Sequence, residues 1–395
     1  MEGPAGALGS AGSGVVPAAA SHRRRAPTPR EQGLAARRPR VAFQAYALHL
    51  AQFYRPVVQR LLREDLDLHF VILFHPEQAL GAVRKLERYA REQLGMPAAN
   101  VHRYWQDLAQ RYDLLICNDV FARFPLRRCP RWLMWHGAGT PHRFVSRSPW
   151  RKTVFDFDLL LTGGPHDAAL VRAIAAREGI DLSTVAAGVP FLDRLEKTES
   201  SRDDYLARLS LDPRRKTILF APHWGAGPAA RALPGRSFEQ CLDVLAASGL
   251  NVVVKPHAWS RRAGRAPGWE RTLRRYPTVA IDRSRDDVPA LRHADILVTD
   301  ASSRAFNFML LDRPVILVSP PDFSEAVDRD RAGLMASAAL VADGPADLAQ
   351  RVRQAESDPG HLRAERRRAA AELFANHGQA TEVVAGLILE QAHAA

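Results

Sequence analysis

The sequence predicts an α/β fold with two domains, each built around a parallel β-sheet. From residue 41 onward, short apolar runs alternate with longer amphipathic runs, which is typical of strands buried on both faces and covered by helices. The alternation stops over a charged stretch without a strand, residues 193–213, and then starts again. The length of 395 residues suits two or more domains.

In the first half, apolar runs and amphipathic periodicity locate the elements. Strands are predicted at VAFQA (41–45), LHFVILFH (68–75), DLLICN (113–118), RWLMWH (131–136), DLLLTGG (158–164) and VAAGVP (185–190). Helices are predicted from Leu48 to Glu64, from about Glu77 to Leu94 and from Asp167 to Glu178.

The second half repeats this organisation. Strands are predicted at KTILFAPHW (216–224), NVVVKPH (251–257), TVAID (278–282), ADILVTD (294–300) and RPVILVS (313–319). Helices are predicted near 237–248, 287–292, 302–311, 344–356 and 361–375, with a last one from about Ala380 to His393.

These elements divide the chain into five parts. Residues 1–40 are rich in Gly, Ala, Pro, Ser and Arg, which favours a disordered basic extension. A first domain over 41–192 and a second over 214–378 flank the linker 193–213. The last part, 379–395, is a helix that could cross back onto the first domain. Two such halves suggest a cleft between them.

The chain is strongly basic, with a formal net charge of +12 and 55 Lys and Arg residues against 43 Asp and Glu. This charge suits anionic partners, namely nucleic acid, anionic lipid or phosphate-bearing substrates. The alternative is a solvated surface of an arginine-rich chain. A nucleic-acid binder acting through the arginine-rich extension is a remote candidate, because it leaves the histidines at the strand ends unexplained.

The sequence also suggests a compartment. Its three cysteines form no CxxC pair, which favours a reducing, cytoplasmic location. No apolar run reaches the ~18 residues of a membrane span. The short run GVVPAAA contains Pro17 and precedes the arginine cluster, unlike a signal peptide. We therefore expect neither export nor an integral membrane anchor.

Polar residues follow four predicted strands, at the positions where parallel sheets bind ligands. In the first domain, His136 follows a strand and precedes Gly137 and Gly139. Glycines let the backbone turn tightly and approach a ligand, and an imidazole serves as a general base near neutral pH. The alternative is a histidine that caps the strand end.

Two of the other strand ends combine basic or aromatic side chains with loops. His223 and Trp224 open a glycine-rich loop whose N–H groups could hold a phosphate, although the loop lacks the spacing of a P-loop. Lys255 and His257 follow the next strand, where both side chains could contact a phosphoryl oxygen. Each residue also has a purely structural interpretation.

The fourth strand end has the strongest anion-binding pattern. The strand ends at Thr299 and Asp300, and Ser302 and Ser303 then open a helix. Serine hydroxyls and the first N–H groups of a helix bind phosphate, although serine is also an ordinary helix cap. We favour phosphate binding by Ser302 and Ser303.

Several other chemistries lack their sequence patterns. The sequence contains no HExxH, HxH or Cys/His cluster, no GxGxxG after the first strand and no GxSxG. We therefore expect no bound metal and no cofactor. Asp156-Phe157-Asp158 matches the DxD of metal-dependent glycosyltransferases, but it begins a strand rather than ending one.

The order of these segments resembles the CDP-glycerol glycerophosphotransferase family, which includes teichoic acid primases and polymerases of GT-B fold. The resemblance covers roughly residues 115–390. It rests on these stretches: HGAGTPHR, GVPFLDRL, APHW, KPHAW, TDASSRAFNFMLLDRPVI and FANHGQATEVV. The chain departs from the family at His223, where a threonine is usual, and at Asn307, where an aspartate is common. The family's histidine-proline order is reversed at Pro256 and His257.

The resemblance implies two Rossmann-like domains facing a cleft and a nucleotide-activated donor as substrate, with no cofactor. His136 would be the general base, and His257 would contact a phosphate oxygen. Ser302 and Ser303 would hold the pyrophosphate, with Thr299 and Lys255 nearby. The acceptor would be a hydroxyl of a lipid-linked glycan or a cell-surface polymer, reached from an anionic membrane surface. No specific nucleic acid is implied.

Two points stay open at the level of sequence. The donor could be CDP-glycerol, CDP-ribitol or a nucleotide sugar. A GT-B glycosyltransferase or a sugar-nucleotide epimerase that uses a UDP-sugar is therefore the alternative function.

Overall fold

The computed structural model describes most of the chain between Arg37 and Ala394. The described ranges are 37–73, 80–120, 129–138, 145, 153–197, 200–222, 235–256, 275–300, 302–318 and 329–394. The chain divides into two units, residues 1–38 and residues 39–395, and the described helices and strands all lie in the second. Residues 1–36 of the predicted extension lie outside the described residues, and Arg40 already belongs to the first strand.

The first lobe is a parallel sheet of seven strands in the order β3-β2-β1-β4-β5-β6-β7. The strands are β1 (Arg40–Ala45), β2 (Asp67–Ile72), β3 (Val101–Arg103), β4 (Leu114–Cys117), β5 (Arg131–Met134), β6 (Leu159–Thr162) and β7 (Ser183–Ala186). Along β1, Val41 and Phe43 enter one apolar cluster and Ala42 enters another, so the sheet is buried on both faces. This explains why its strands read as continuous apolar runs.

The second lobe repeats the design with six parallel strands in the order β10-β9-β8-β11-β12-β13. These are β8 (Thr217–Phe220), β9 (Asn251–Val254), β10 (Val279–Ile281), β11 (Ile296–Thr299), β12 (Val315–Val318) and β13 (Leu340–Ala342). Ile218 and Phe220 of β8 enter one cluster, and Leu219 enters the other. The expectation of two parallel-sheet domains is therefore confirmed.

Helices connect the strands of both lobes. In the first lobe these are α1 (Leu48–Ala51), α2 (Arg55–Leu61), α3 (Leu80–Glu92), α4 (Tyr104–Asp107) and α5 (Pro165–Arg177). After the first lobe come α6 (Arg202–Arg208), α7 (Gly235–Ala246), α8 (Val288–His293), α9 (Arg304–Met309), α10 (Arg329–Ser337), α11 (Pro345–Ser357), α12 (Arg363–Leu373) and α13 (Ala380–Ala394). Within the part of the chain that the structure describes, no helix is both long and apolar enough to span a membrane.

The structure differs from the sequence-based elements in several places, and α4 and α10 are helices that were not predicted. The predicted helix over 48–64 is broken into α1, a 3₁₀ turn at Gln52–Tyr54 and α2, where Pro56 stands at the second position and supplies no N–H group. The strands β3 and β13 were not predicted, because three residues are too few to show a period.

The segment after α12 returns to the first lobe. α13 buries Val384, Ala385 and Ile388 in the apolar cluster of the first sheet. Asp193 caps this helix by accepting from the backbone N–H groups of Ala380, at 3.2 Å, and Thr381, at 2.7 Å. Two sequence segments that lie almost 190 residues apart thus form one structural joint.

A glycine permits this return. Gly188 has φ of +91°, and a Cβ there would lie 2.4 Å from the Ala375 carbonyl oxygen. Only glycine adopts this conformation without strain and lets the two backbones approach so closely. The stretches GVPFLDRL and FANHGQATEVV, noted above for their resemblance to a family, therefore have a structural role in packing the returning segment.

Candidate active site

His136 lies just beyond β5, at the carboxyl edge of the first sheet, and is half-buried. Its Nδ1 is 2.6 Å from the backbone carbonyl oxygen of Asn118. A carbonyl oxygen only accepts, so Nδ1 carries the hydrogen and donates it. The neutral ring then holds its lone pair on Nε2, the nitrogen that can accept a proton.

Burial sets the protonation state of this ring. Desolvation lowers the pKa of His136 below its ordinary value of 6.5, against the opposing charge of Asp119 and the hydrogen bond to Asn118. The imidazole is therefore neutral at pH 7. A neutral ring with a fixed tautomer is the form that a general base requires.

Aromatic rings surround His136 at the junction of the lobes. Phe53 lies 5.4 Å from the imidazole and 4.9 Å from Phe191, between ring centroids, and Trp135 packs at 4.9 Å. Phe53 and Phe191 belong to an apolar cluster that extends into the second lobe, where it includes Phe306. The ring of His136 is thus held in place by packing and by its bond to Asn118. A Cβ at the adjacent Gly137 would meet no described atom within 4 Å.

In the second lobe, the strand-end residues of β11 are buried and bonded inward. Thr299 is fully buried, and its hydroxyl donates to the Ala221 carbonyl oxygen at 2.7 Å, which ties β11 to the end of β8. Asp300 is 1% exposed, and its carbonyl oxygen accepts from the Ser302 N–H at 2.6 Å. Both residues shape the turn into α9.

The two serines at this turn differ. Ser302 is buried, and its hydroxyl oxygen accepts from the backbone N–H of Arg304 at 3.3 Å, as a capping serine does. Ser303 is exposed at the start of α9. Ser303 is therefore the hydroxyl of the pair that solvent, and hence a ligand, reaches.

Lys255 follows β9 and is 2% exposed. Its Nζ lies within 2.9 Å of four oxygens: Asp282 Oδ2, the Ser284 hydroxyl and carbonyl, and the Asp286 carbonyl. An ammonium has three hydrogens, and all of them have internal acceptors here. In this structure Lys255 holds the 282–287 loop together rather than facing an open cleft.

The opposite charges of Lys255 and Asp282 stabilise each other. Burial alone would raise the pKa of Asp282, but the nearby Lys255 ammonium and the hydrogen bonds from Ser284 lower it overall. Burial lowers the pKa of Lys255, against the charges of Asp287 and Asp282. Four acceptors around one ammonium favour the charged form, so the pair is a buried ion pair whose disruption leaves a charge without compensation.

Arg304 is a charged residue that the sequence analysis did not single out. Its side chain is 9% exposed, and its Nε donates to Asp287 Oδ2 at 2.9 Å. It thus joins the turn of Ser302 and Ser303 to the Lys255 cluster. An arginine on the otherwise apolar face of a helix was the available signal, and its partner 17 residues earlier could not be identified from sequence.

The lobes are also joined by an ion pair. Arg194, in the 3₁₀ segment Pro190–Leu195, donates to both carboxylate oxygens of Asp286 at 3.2 and 2.6 Å. Its guanidinium also stacks over Phe191 at 5.4 Å. A chain of contacts therefore runs from His136 through Phe53, Phe191 and Arg194 to the loop that holds Lys255.

Some predicted site residues lie outside the described residues: Gly139, His223, Trp224 and His257. The structure brings together Lys255, Thr299, Asp300, Ser302 and Ser303 at the carboxyl edge of one sheet and places His136 at that of the other. Both aspartates of the DxD-like pair make internal bonds here. Asp156 accepts from the Thr153 N–H at 2.6 Å, and Asp158 pairs with Arg131 at 3.3 Å.

Two facing parallel-sheet lobes define a GT-B fold, and solved structures with this fold match over nearly the whole chain. The wall teichoic acid polymerase TagF aligns with a TM-score of 0.61 at 16% identity, over 90% of each chain. A putative UDP-N-acetylglucosamine 2-epimerase from Listeria monocytogenes aligns with a TM-score of 0.59 at 13% identity, over 91% of this chain and 98% of its own. At these identities the likeness shows the fold alone.

Within this GT-B class, the sequence identifies the family to which the protein belongs. Residues 146–388 match the family described as CDP-Glycerol:Poly(glycerophosphate) glycerophosphotransferase, which is more than half of the chain, and the protein belongs to this family. A teichoic acid glycerol-phosphate primase of Bacillus spizizenii is 24% identical over 198 residues. That alignment covers 46% of this chain and 49% of the primase, so it spans about half the length of this relative.

Proposed function

We propose that the protein transfers glycerophosphate, or a related polyol phosphate, from a CDP-activated donor to the hydroxyl of an acceptor. The observation that carries the proposal is the His136 imidazole in a member of this family, with Nδ1 engaged, Nε2 available and a lowered pKa. TagF supports the choice of donor, since one of its structures was soaked with CDPG.

The proposed step is a displacement at phosphorus. The acceptor hydroxyl gives its proton to Nε2 of His136, and its oxygen forms a bond to the phosphorus that carries the polyol. The bond from that phosphorus to the bridging oxygen breaks, and CMP leaves with the electron pair. Most of the rate enhancement in such transfers comes from positioning and from stabilising the developing charge.

On the donor side, we assign the phosphate contact at this turn to Ser303, with His257 as a second imidazole on a phosphate oxygen. Ser303 is the exposed hydroxyl of the turn, and the buried Ser302 and Thr299 hold its backbone. We now assign Lys255 a structural role, because its hydrogens have internal acceptors.

The test is a donor screen with the purified full chain. CDP-glycerol, CDP-ribitol and UDP-N-acetylglucosamine are each supplied with a glycerol-phosphate-primed acceptor, and nucleotide release and acceptor mass are both measured. We expect CMP release with an acceptor mass gain of one polyol phosphate. Release of UDP or epimerisation of the sugar, with no turnover of either CDP donor, would refute the proposal.

The epimerase or glycosyltransferase function remains the second candidate, because the fold also matches UDP-N-acetylglucosamine 2-epimerases. One of these, from Methanocaldococcus jannaschii, was solved with UDP-GlcNAc and UDP and has a TM-score of 0.58 to this chain. The donor screen separates the two functions by the nucleotide released.

We also propose that the protein meets its acceptor at an anionic membrane surface on the cytoplasmic side. Trp105 and Leu108 are 60% and 55% exposed, and the guanidinium of Arg103 lies over the Trp105 ring. Arg103 pairs with Glu87 of α3, a helix that also carries these exposed cations: Arg84, Lys85, Arg88 and Arg91. An exposed indole beside cations suits a lipid headgroup region.

Liposome flotation tests this surface. We expect the protein to float with vesicles of phosphatidylglycerol and phosphatidylcholine more than with phosphatidylcholine alone. The double variant Trp105→Ser/Leu108→Ser should lose most of this binding, whereas Leu62→Ser, at another exposed apolar residue, should retain it. Equal flotation on both vesicle types would count against the proposal.

A further inference from the structure

A cavity lined mainly by cations lies at the junction of the lobes. It has a volume of about 280 Å³ and is lined by Arg194, Lys197, Arg208, Asp286 and the apolar pair Val288 and Pro289. This volume far exceeds the roughly 10–15 Å³ needed by one water molecule. No residue that we assign to the base or to the donor phosphates lines it.

The charges of this cavity are unbalanced. Among its described lining residues there are three cations and one carboxylate. Arg194 already engages both oxygens of Asp286, so these two charges offset each other. Within the described residues, Lys197 and Arg208 pair with no carboxylate. The described lining residues therefore present a net surplus of two positive charges to the cavity.

The residues that line the cavity strengthen the interaction of these charges with an anion. Arg194 is held both by Asp286 and by its stacking on Phe191 at 5.4 Å, so one donor group is fixed before any ligand arrives. Val288 is 2% exposed and, with Pro289, forms an apolar wall that screens charge less than water does. Lys197 and Arg208 are exposed, which lets them close around an anion.

We propose that this cavity is an anion-binding site for a phosphate group, separate from the donor site. The same chemistry occurs in free phosphate and in the phosphodiesters of an anionic polymer, and an extended acceptor could present such a phosphodiester here. Arg194 and Asp286 form the ion pair between the lobes, so a phosphate bound here lies beside that contact.

The test measures binding without donor turnover, so it is independent of the proposed function. Inorganic phosphate and a synthetic glycerol-phosphate oligomer are titrated calorimetrically into the full chain at fixed ionic strength, with chloride as the reference. We expect Lys197→Ala/Arg208→Ala to weaken binding about tenfold, from the loss of two charge contacts. Loss with both probes indicates a site for single phosphates, and loss with the oligomer alone indicates a polymer site.

Two controls make the result specific. Arg353→Ala/Arg368→Ala removes two exposed arginines elsewhere, on α11 and α12, and should leave binding within twofold. Ser303→Ala tests whether the phosphate is instead held at the donor side. The proposal is wrong if neither probe binds better than chloride, if both double variants bind alike, or if only Ser303→Ala weakens binding. Should Lys197→Ala/Arg208→Ala unfold, the single variants give the same comparison.

Discussion

The two lobes have the same architecture but use their strand-end residues in different ways. At the carboxyl edge of the first sheet, His136 makes one hydrogen bond within the described residues, through Nδ1, which leaves Nε2 to accept a proton. At the corresponding edge of the second sheet, Lys255, Thr299 and Ser302 are buried and bonded to other parts of the protein, and the hydroxyl of Ser303 is exposed.

The difference shows that residue type and position at a strand end do not by themselves indicate a ligand contact. A buried polar group needs a partner, and at a crowded strand end that partner is often the next loop. In the second lobe such bonds hold a turn in shape, and the turn presents Ser303. In the first lobe the packing of aromatic rings has that role. We therefore expect a variant at His136 to lose activity, and variants at the buried residues of the second sheet's edge to lose stability.

The largest effect is expected at His136. We predict that His136→Ala lowers the rate of transfer by a factor of about 10² to 10⁴, the usual contribution of a general base, with little change in thermal stability. We predict a similar loss for His257→Ala. Single-turnover assays with CDP-glycerol measure both. The matched control is His393→Ala, an exposed histidine on α13, which should keep full activity. Unimpaired turnover in a folded His136→Ala enzyme would refute the assignment.

The next largest effect concerns stability. Lys255→Met removes the ammonium from two carboxylates, Asp282 at 2.9 Å and Asp287 at 3.8 Å. We expect a loss of about 3–5 kcal/mol in the free energy of unfolding, since a buried charge is left without its partner. Urea titration measures this against Lys216→Met, an exposed lysine whose loss should change little. If Lys255→Met keeps its stability and only raises the donor KM, Lys255 contacts the donor after all.

The two serines provide a smaller contrast. Ser303→Ala should raise the donor KM by about tenfold, the effect of one hydrogen bond to a charged group, and leave stability unchanged. Ser302→Ala should instead lower the free energy of unfolding by about 1 kcal/mol, because it removes a helix cap. Steady-state kinetics and thermal melting are measured on both variants. The reverse pattern would exchange their roles.

The smallest effect is on the pH dependence. The base is active when neutral, and burial places the folded pKa of His136 below 6.5, so activity should persist at pH 7 and fall only in more acidic solution. Asp119 raises that pKa, so Asp119→Asn should move the acidic limb of kcat/KM to lower pH. Asp158→Asn, at the opposite edge of the sheet, is the control. A shift to higher pH would contradict this electrostatic account.

Much of the architecture follows from local signals in the sequence. The strands of both sheets are continuous apolar runs because helices cover both faces. This pattern can be recognised in the sequence without knowing which residues are in contact. The predicted elements differ from the observed ones where a strand is too short to show a period or where a proline interrupts a helix. β3 and β13 have three residues each, and Pro56 divides a stretch whose periodicity alone predicts one helix.

The candidate site was only partly accessible from sequence. His136, Ser302 and Ser303 could be located, because they follow apolar strands in characteristic order. Their separate roles could not, since the tautomer of His136 depends on a carbonyl oxygen 18 residues away and the role of Lys255 depends on a loop near residue 282. The sequence did not indicate the roles of three further residues, because their partners are distant in the chain: Arg194, Asp286 and Arg304.

The sequence by itself determined the two parallel-sheet lobes, the order of the strand-end motifs and the family to which they belong, because these depend on periodicity and on residues adjacent in the chain. Tertiary structure alone decided which polar groups point inward, which nitrogen of His136 is available and how α13 returns to the first lobe. Hydrogen bonds and burial arise between segments that only folding brings together, so local sequence carries no direct record of them.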